Sequence, residues 1–261
     1  LKFNRPQSAN LVAHYDFQQL SDRHSLWFDG DGDKIIHATY LDTVPTHWDF
    51  SCWFCLDNDY DSGETIRRML VTKSNNVGDD RFNIGLDPDD GKMRFWSENN
   101  NDGGNSLTST TASWTAGQWY HIICTWDTTN GKRIFIDGSL EATAAGETTL
   151  MLDGTNSDFY IGMYFDGTSY DFPGRIADVV TYHEILDSTD IANIYAGDYD
   201  LTCTPILHWD MQDSTSTTVT DQMGTYDGTI SGALKSRDAY DQSGNDNDGT
   251  VISAIEVCDD I

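Results

Sequence analysis

Along most of this chain apolar and polar residues alternate in short runs. Examples are "NLVAHYDF", "SLWFDG", "KIIHATY", "DFSCWFCL", "RRMLVTK", "RFNIGLD", "KMRFWSE", "QWYHIICTWD", "KRIFIDG", "SLEATA", "DFYIGMYFD" and "GRIADVVTY". A period of two places successive side chains on opposite faces, the signature of half-buried strands. Turn residues separate the runs, and in "GKRIFIDGSLEATA" Asp137-Gly138 sits between two alternating stretches, a strong hairpin signal. Many short strands at this spacing predict an all-β protein, an antiparallel jelly-roll sandwich. One stretch breaks the pattern: "LDSTDIANIYAG" predicts a short helix capped by Asp187 or Ser188, running to about Tyr195 and stopped by Gly197.

After residue 200 the organisation changes, which divides the chain into a sandwich over 1–200 and a C-terminal β extension over 201–261. "PILHWDM" repeats the pattern of "NLVAHYDF", and two phrases follow, "VTDQMGTYDGTI" (219–230) and "YDQSGNDNDGTV" (240–251). Each phrase is an Asp, a polar turn, then Asp-Gly-Thr and a β-branched residue, so a hairpin signature is doubled at one end of the chain. "DSTSTTVTD" (213–221), which leads from "PILHWDM" into the first phrase, reads equally as a linker or an edge strand.

Composition narrows the partners. With 15 Lys+Arg against 43 Asp+Glu, the formal charge of −28 repels phosphate backbones and anionic lipid, so neither nucleic acid nor a membrane surface is expected as a partner. No run approaches the length of apolar sequence that a spanning helix requires. Eight Trp and 12% aromatic residues supply a sizeable core. The chain opens on Leu1 without Met or a leader and reads as a processed or excised fragment of something longer. Five cysteines leave at least one thiol unpaired within the chain. Cys52 and Cys55, three apart on a predicted strand, point to opposite faces and read as core thiols rather than a zinc knuckle. A Cys203–Cys258 disulfide would staple the extension.

Catalytic signatures are missing: the sequence has no Gly-x-Ser-x-Gly elbow, P-loop, dinucleotide-binding glycine pattern or His-Glu-x-x-His. Asp178 and Glu184 share a predicted strand face but lie about 20 Å apart along it, too far for either glycosidase geometry. The protein is therefore expected not to be an enzyme. The seven His are scattered without ligand spacing. Trp53, Trp96, Trp119 and Trp126 are expected in the core. "DGDGDK" and "DNDYDSGET" depart from the EF-hand at its Gly and Glu positions.

Four motifs in order, "SLWFDGDGDKI", "WDFSCWFCLD", "GQWYHIICTWDTTNGKRIFIDGSLEATA" and "DFYIGMYFDGTSYDFPGRIADVVTYHEILDSTDIANIY", resemble the laminin G-like, concanavalin A-like lectin/glucanase superfamily in its pentraxin-like bacterial or phage form. The resemblance covers about residues 10–195. It implies a sandwich of two antiparallel sheets, often a non-catalytic module that binds glycans or proteins at a cell or virion surface. It also implies a structural calcium, whose matching positions here are Asp178 in "GRIADVV" and Asp241, Asn245 and Asp248 in the second phrase. The chain departs from the family in having Ala177 where the first acid of that strand usually stands. In the family the "D-x-SGN-x-N-x-GT" phrase follows the first strand directly, whereas here "LVAHYDFQQLSDRHSLWFDG" lacks it and the surplus stands at the C-terminus.

The displaced hairpin allows three arrangements: it completes its own sandwich, completes a neighbour's, or begins a further repeat. An open sheet edge is adhesive, and a donated strand satisfies it while building head-to-tail assemblies. The sequence therefore predicts an extracellular or virion-surface structural and adhesion protein that binds glycan, a cell-surface ligand or neighbouring subunits and self-associates through its extension. The alternative is a carbohydrate-binding module excised from a larger polysaccharide-degrading enzyme. Loop aromatics and amides, Tyr164, Tyr170 and Asn100, are the expected glycan contacts, because rings stack on sugar faces and amides fix hydroxyls.

Overall fold

The computed structural model describes residues 24–41, 45–74, 81–98, 105–148, 158–164, 170–198, 201–212, 214–239 and 249–252. Two antiparallel sheets face one another. The first contains β1 (Ser25–Asp29), β3 (His47–Leu56), β8 (Trp119–Asp127), β9 (Gly131–Ile136), β10 (Ser139–Ala144), β12 (Pro173–Tyr182), β13 (Pro205–Trp209), β16 (Leu234–Ala239) and β17 (Gly249–Ile252). Its order is β10-β9-β8-β3-β12-β1-β16-β17, with β13 also paired to β12. The second contains β2 (Lys34–His37), β4 (Arg68–Ser74), β5 (Arg81–Leu86), β6 (Met93–Glu98), β7 (Asn105–Thr108), β11 (Asp158–Ile161), β14 (Thr218–Val219) and β15 (Gly228–Ser231), in the order β14-β15-β2-β11-β4-β5-β6-β7.

Alternation within each strand builds the core. From β3, Trp48, Phe50, Cys52, Phe54 and Leu56 enter the space between the sheets, where they meet Phe82, Ile84, Phe95 and Phe159 of the opposing strands. Burial of side chains this large is the main stabilising term. The residues between them on β3, among them Asp49, Ser51, Trp53 and Cys55, have the opposite parity and point to the outer face. Both Cys52 and Cys55 are fully buried free thiols, as expected: Cys52 lies between the sheets, and Cys55 on the opposite face accepts from Arg175 Nη2 at 3.0 Å.

Helix α1 (Ser188–Ala196) covers part of that outer face. Asp187 caps it by accepting from the amides of Thr189 and Asp190, Asp190 returns the contact to the amide of Asp187, and Gly197 at φ 74° ends it. Ile191, Ile194 and Leu186 pack on Ile123, Val180 and Tyr182 as a second, smaller core, and Tyr195 stacks on Trp53 at 5.6 Å. The β9–β10 hairpin turns through Asp137 and Gly138 at φ 48° and 74°, the left-handed pair that such a turn requires.

The extension pairs with the sandwich of its own chain. β13 runs along residues 179–182 of β12 while β1 runs along residues 173–176 of the same edge, so the two lie end to end. The β14–β15 hairpin adds to β2, and β16 adds to β1. The described strands β13, β15 and β16 thus pair within their own chain. "NLVAHYDF" and most of the second phrase lie outside the described residues. Cys203 is a free buried thiol, 3.4 Å from the Ile185 carbonyl oxygen, which corrects the expected disulfide; Cys258 lies outside the described residues.

Candidate functional site

The outer face of the second sheet carries a continuous strip of aromatic and cationic side chains. The cross-strand register decides its membership. Thr72 of β4 stands opposite Asn83 of β5, which stands opposite Trp96 of β6, and one row along, Met69, Gly85 and Arg94 are aligned in the same way. These residues have the opposite parity to Phe82, Ile84, Met93 and Phe95, so packing the latter in the core turns the former outward. Trp96 is therefore not a core residue, contrary to expectation.

Asp87, just past β5, ties the strip together. Its Oδ2 accepts from Arg67 Nη2 at 2.9 Å and from Arg94 Nη1 at 2.8 Å, and its Oδ1 accepts from the Asp89 amide. Burial pushes this carboxyl up, but the Asp89 amide and the two guanidinium groups outweigh burial and hold it below the usual Asp value. The guanidiniums in turn lie against rings: Arg94 over Trp96 at 5.4 Å and Arg67 over Tyr170 at 5.6 Å. Tyr170 meets Tyr164 edge to face at 5.2 Å. Tyr170 has φ 61°, a left-handed conformation that is costly for this residue type, and its carbonyl is held by the Met69 amide at 3.0 Å.

At the floor lies a small cleft lined by Arg67, Met69, Asn83, Gly85, Arg94 and Trp96, with room for about one water at 10 Å³. A Cβ at Gly85 would fall 2.4 Å from the Arg68 carbonyl oxygen, so only glycine permits this approach of β4 and β5. Asn83 is 2% exposed, yet neither its Oδ1 nor its Nδ2 has a hydrogen-bond partner among the described residues. Thr72 Oγ1 opposite it and the Nε atoms of Arg67 and Arg94 are in the same condition. Unpaired buried polar groups cost about 1–3 kcal/mol each, so this floor carries a local cost among the described residues.

Tyr164 and Tyr170, two of the residues expected to contact glycan, lie together in one patch, while Asn100 lies outside the described residues. It adds Arg67, Asn83, Asp87, Arg94 and Trp96. The signal for Asn83, Arg94 and Trp96 was the polar parity of "RFNIGL" and "MRFWSE", which points to a site only once the two strands are known to be neighbours; Arg67 and Asp87 carried no such signal.

Asp178 lies elsewhere, on the first sheet. A bulge between Ala177 and Val180 puts it at φ 54°, and its Oδ1 is 2.8 Å from His208 Nε2 of β13. Burial opposes charge on His208, but the hydrogen bond and charge of Asp178 outweigh it and raise the imidazole above its ordinary value. The bulge also interrupts the alternation that would have put Asp178 and Glu184 on one strand face, and β12 ends at Tyr182. The other expected calcium ligands, Asp241, Asn245 and Asp248, lie outside the described residues. Among the described residues no three His, Cys, Asp or Glu side chains come together to hold a metal, and a cation at Asp178 would compete with the imidazole. In the first phrase the corresponding acids serve the backbone: Asp221 accepts from the amides of His208, Met223, Thr225 and Tyr226, and Asp227 accepts from the Asp221 amide.

A family model described as the concanavalin A-like lectin/glucanases superfamily matches residues 29–192. No curated protein matches the chain. Among solved structures, a proposed carbohydrate-binding protein of Bacteroides ovatus aligns with TM-score 0.58 at 14% identity over 82% of this chain; the chain spans 60% of that protein's length. A heptameric pentraxin of Limulus polyphemus aligns with TM-score 0.52 at 13% identity, covering 81% of this chain and 96% of its own. Domain 4 of an extracellular arabinanase of Geobacillus stearothermophilus, solved with arabinotriose, aligns with TM-score 0.53 at 14% identity over 66% of this chain and 76% of its own. At these identities the alignments show a shared fold.

Proposed function

The chain belongs to the concanavalin A-like lectin/glucanases superfamily, and we propose that within it this protein is a non-catalytic glycan-binding module whose ligand lies along the outer strip of the second sheet. The observation that carries the reading is Asn83, a buried amide with donor and acceptor both unpaired among the described residues, on the sheet face that also carries the half-buried Trp96 and the exposed Tyr170 rings. Rings stack on the apolar faces of sugars, while the amide and guanidinium groups fix hydroxyls. The arabinotriose-bearing relative supports the same class of ligand.

Hydrolysis requires two carboxyl groups in defined separation. The carboxylate at the centre of the strip, Asp87, is held ionised by two guanidiniums and so is unsuited to donate a proton. The formal charge of −28 favours a neutral glycan over an anionic one. We place such a module outside the cell or on a virion surface, and no described helix is long and apolar enough to cross a membrane. A structural calcium is not used in this reading, because Asp178 already engages His208.

Binding to a neutral glycan array tests the proposal. Trp96→Ala and Asn83→Ala should each weaken binding by about tenfold or more while the fold is retained. Binding unchanged in both variants would reject the strip as the site.

Self-association is the second reading, favoured by one observation: β17 pairs with β16 alone and ends the first sheet among the described residues, leaving an edge for a second copy. Sedimentation of the full chain against one ending at residue 239 tests it; equal sedimentation of the two rejects it.

A further inference from the structure

Among the described strands both sheets end on the same side of the sandwich. β10 is the last strand of the first sheet and β7 the last of the second, and the two meet there without forming a ladder. Two polar side chains of the first sheet reach across this seam. Lys132 of β9 is buried, and its Nζ donates to Ser97 Oγ of β6 and to the Asn105 carbonyl oxygen of β7, each at 2.8 Å, with the Phe95 ring centre 5.0 Å away. Glu141 of β10 accepts from Thr110 and Thr111, just past β7. Thr110 N and Oγ1 both reach Oε2 at 2.9 Å, Thr111 N reaches it at 2.8 Å, and Thr111 Oγ1 reaches Oε1 at 2.5 Å.

The backbone builds the Glu141 contact from both sides. A bulge between Leu140 and Ala142 sets Glu141 out of the β9–β10 pairing. The receiving loop is fastened to β6, where Ser109 N donates to the Met93 carbonyl oxygen at 2.9 Å and Met93 N donates to Ser109 Oγ at 3.0 Å. Glu141 therefore ties the edge of one sheet, through a short loop, to the other. Burial pushes its carboxyl up, but the hydroxyls and amides of Thr111 and Thr110 outweigh burial and hold it below the usual Glu value. The loop over 109–117 carries no charged residue. The acidic neighbour is Asp137 at the β9–β10 turn, raised by burial against the His121 amide and raised further by the Glu141 charge. Lys132, pushed down to about 8 by burial, faces Glu147, Cys124 and Arg94 and keeps its charge throughout the acid range.

We propose that Glu141 is an acid-released latch on this seam, with Lys132 as its hinge. The proposal is independent of the glycan reading. Ionised, Glu141 holds β10 to the 109–111 loop; protonated, it loses its charge and turns an acceptor oxygen into a donor, while Lys132 keeps β9 on β6 and β7. Lys132 pairs with Ala144, at the end of β10 far from the Asp137-Gly138 turn, so the half of β10 nearer the turn parts from the loop. Leu107 and Ala142, partly buried against the core, are the apolar side chains that this parting uncovers. The contribution of the latch is complete above the ordinary Glu value and is lost as pH falls through the lower value of the folded protein.

The test is amide exchange of the full chain by NMR, with protection taken relative to intrinsic exchange, alongside titration of the Glu141 carboxyl carbon. Protection of the Thr110 and Thr111 amides should fall by about tenfold or more as pH drops through the Glu141 titration, while the amides of β6 and β7 keep theirs. Glu141→Gln should show the lowered protection already at neutral pH, with no further fall on acidification. Thr111→Val keeps the carboxylate with one donor fewer and should move the Glu141 titration upward, which tests the latch even where the Gln variant does not fold. Asp137→Asn should retain the fall. Four results overturn the proposal: the Thr110 and Thr111 amides stay protected through the titration, their protection falls equally in Glu141→Gln, the fall disappears in Asp137→Asn, or the β6 and β7 amides lose protection with them, which is global unfolding and not a hinge.

Discussion

The outer faces of the two sheets bury polar side chains in opposite ways. Beneath α1, Asp49 accepts from the Leu186 amide at 3.2 Å and Ser51 Oγ lies 2.9 Å from His121 Nε2, while Ile191 and Ile194 seal them from water. On the second sheet Asn83 is buried to the same degree with no partner among the described residues, and no described helix lies over it. A buried polar group with a partner contributes to the fold, whereas one without a partner is a deficit that an incoming ligand can make good. Proximity of aromatic residues does not separate the two faces, since Trp53 and Trp96 lie one on each; hydrogen-bond accounting separates them only in part, because Tyr182 Oη beneath α1 is also without a partner among the described residues.

Substitution on the two faces should divide accordingly. Ile194→Ala, which opens a cavity under the helix, should cost about 2–5 kcal/mol in denaturant unfolding. Asn83→Leu should change stability by no more than about 1 kcal/mol, or raise it, because it removes unpaired groups, while abolishing glycan binding. A strongly destabilised Asn83→Leu would show that the amide is structural and erase the contrast.

pH sharpens the comparison next. Burial pushes the Asp49 carboxyl up to about 8, partly offset by the Leu186 amide. The folded state keeps this proton after the unfolded state has lost it, so the group's contribution is full below the ordinary Asp value and declines as pH rises toward about 8, then levels. Asp49→Asn should therefore flatten the decline in melting temperature between those limits. A slope identical to that of wild type would mean that the face beneath α1 is wetter than its packing implies.

The smallest effect is expected where β13 joins β12. His208, raised by Asp178, contributes stability that is fully present below the ordinary His value and is lost as pH rises through its folded value. The protection of β13 amides, taken relative to their intrinsic base-catalysed exchange, should fall over that range, and Asp178→Asn should remove that fall. Unchanged protection across the range would show that pairing with β12 alone holds the strand.

Much of the architecture was legible in alternation and turn chemistry. "DFSCWFCL" and "QWYHIICTWD" became central strands, Asp137-Gly138 became the expected turn, and Asp187 and Gly197 bound the expected helix. β7 was missed because "NSLT" is short and mostly polar, and gains strand structure only by pairing with β6. At the site, Tyr164 and Tyr170 were legible as loop aromatics. Arg67, Asn83, Arg94 and Trp96 were not, because they converge through pairing of β4, β5 and β6 rather than through any local motif.

Sequence by itself determined which residues share a face of each strand, because the side-chain period of two is a property of the extended backbone. It also determined where the chain turns, through glycines and aspartates that tolerate left-handed conformations. Tertiary structure alone decided which outer face lies under the helix, which stays open with unpaired groups, and that the first Asp-Gly-Thr phrase joins β2 of its own chain. Those outcomes depend on which strands become neighbours, and strand pairing is settled by long-range packing against a shared core.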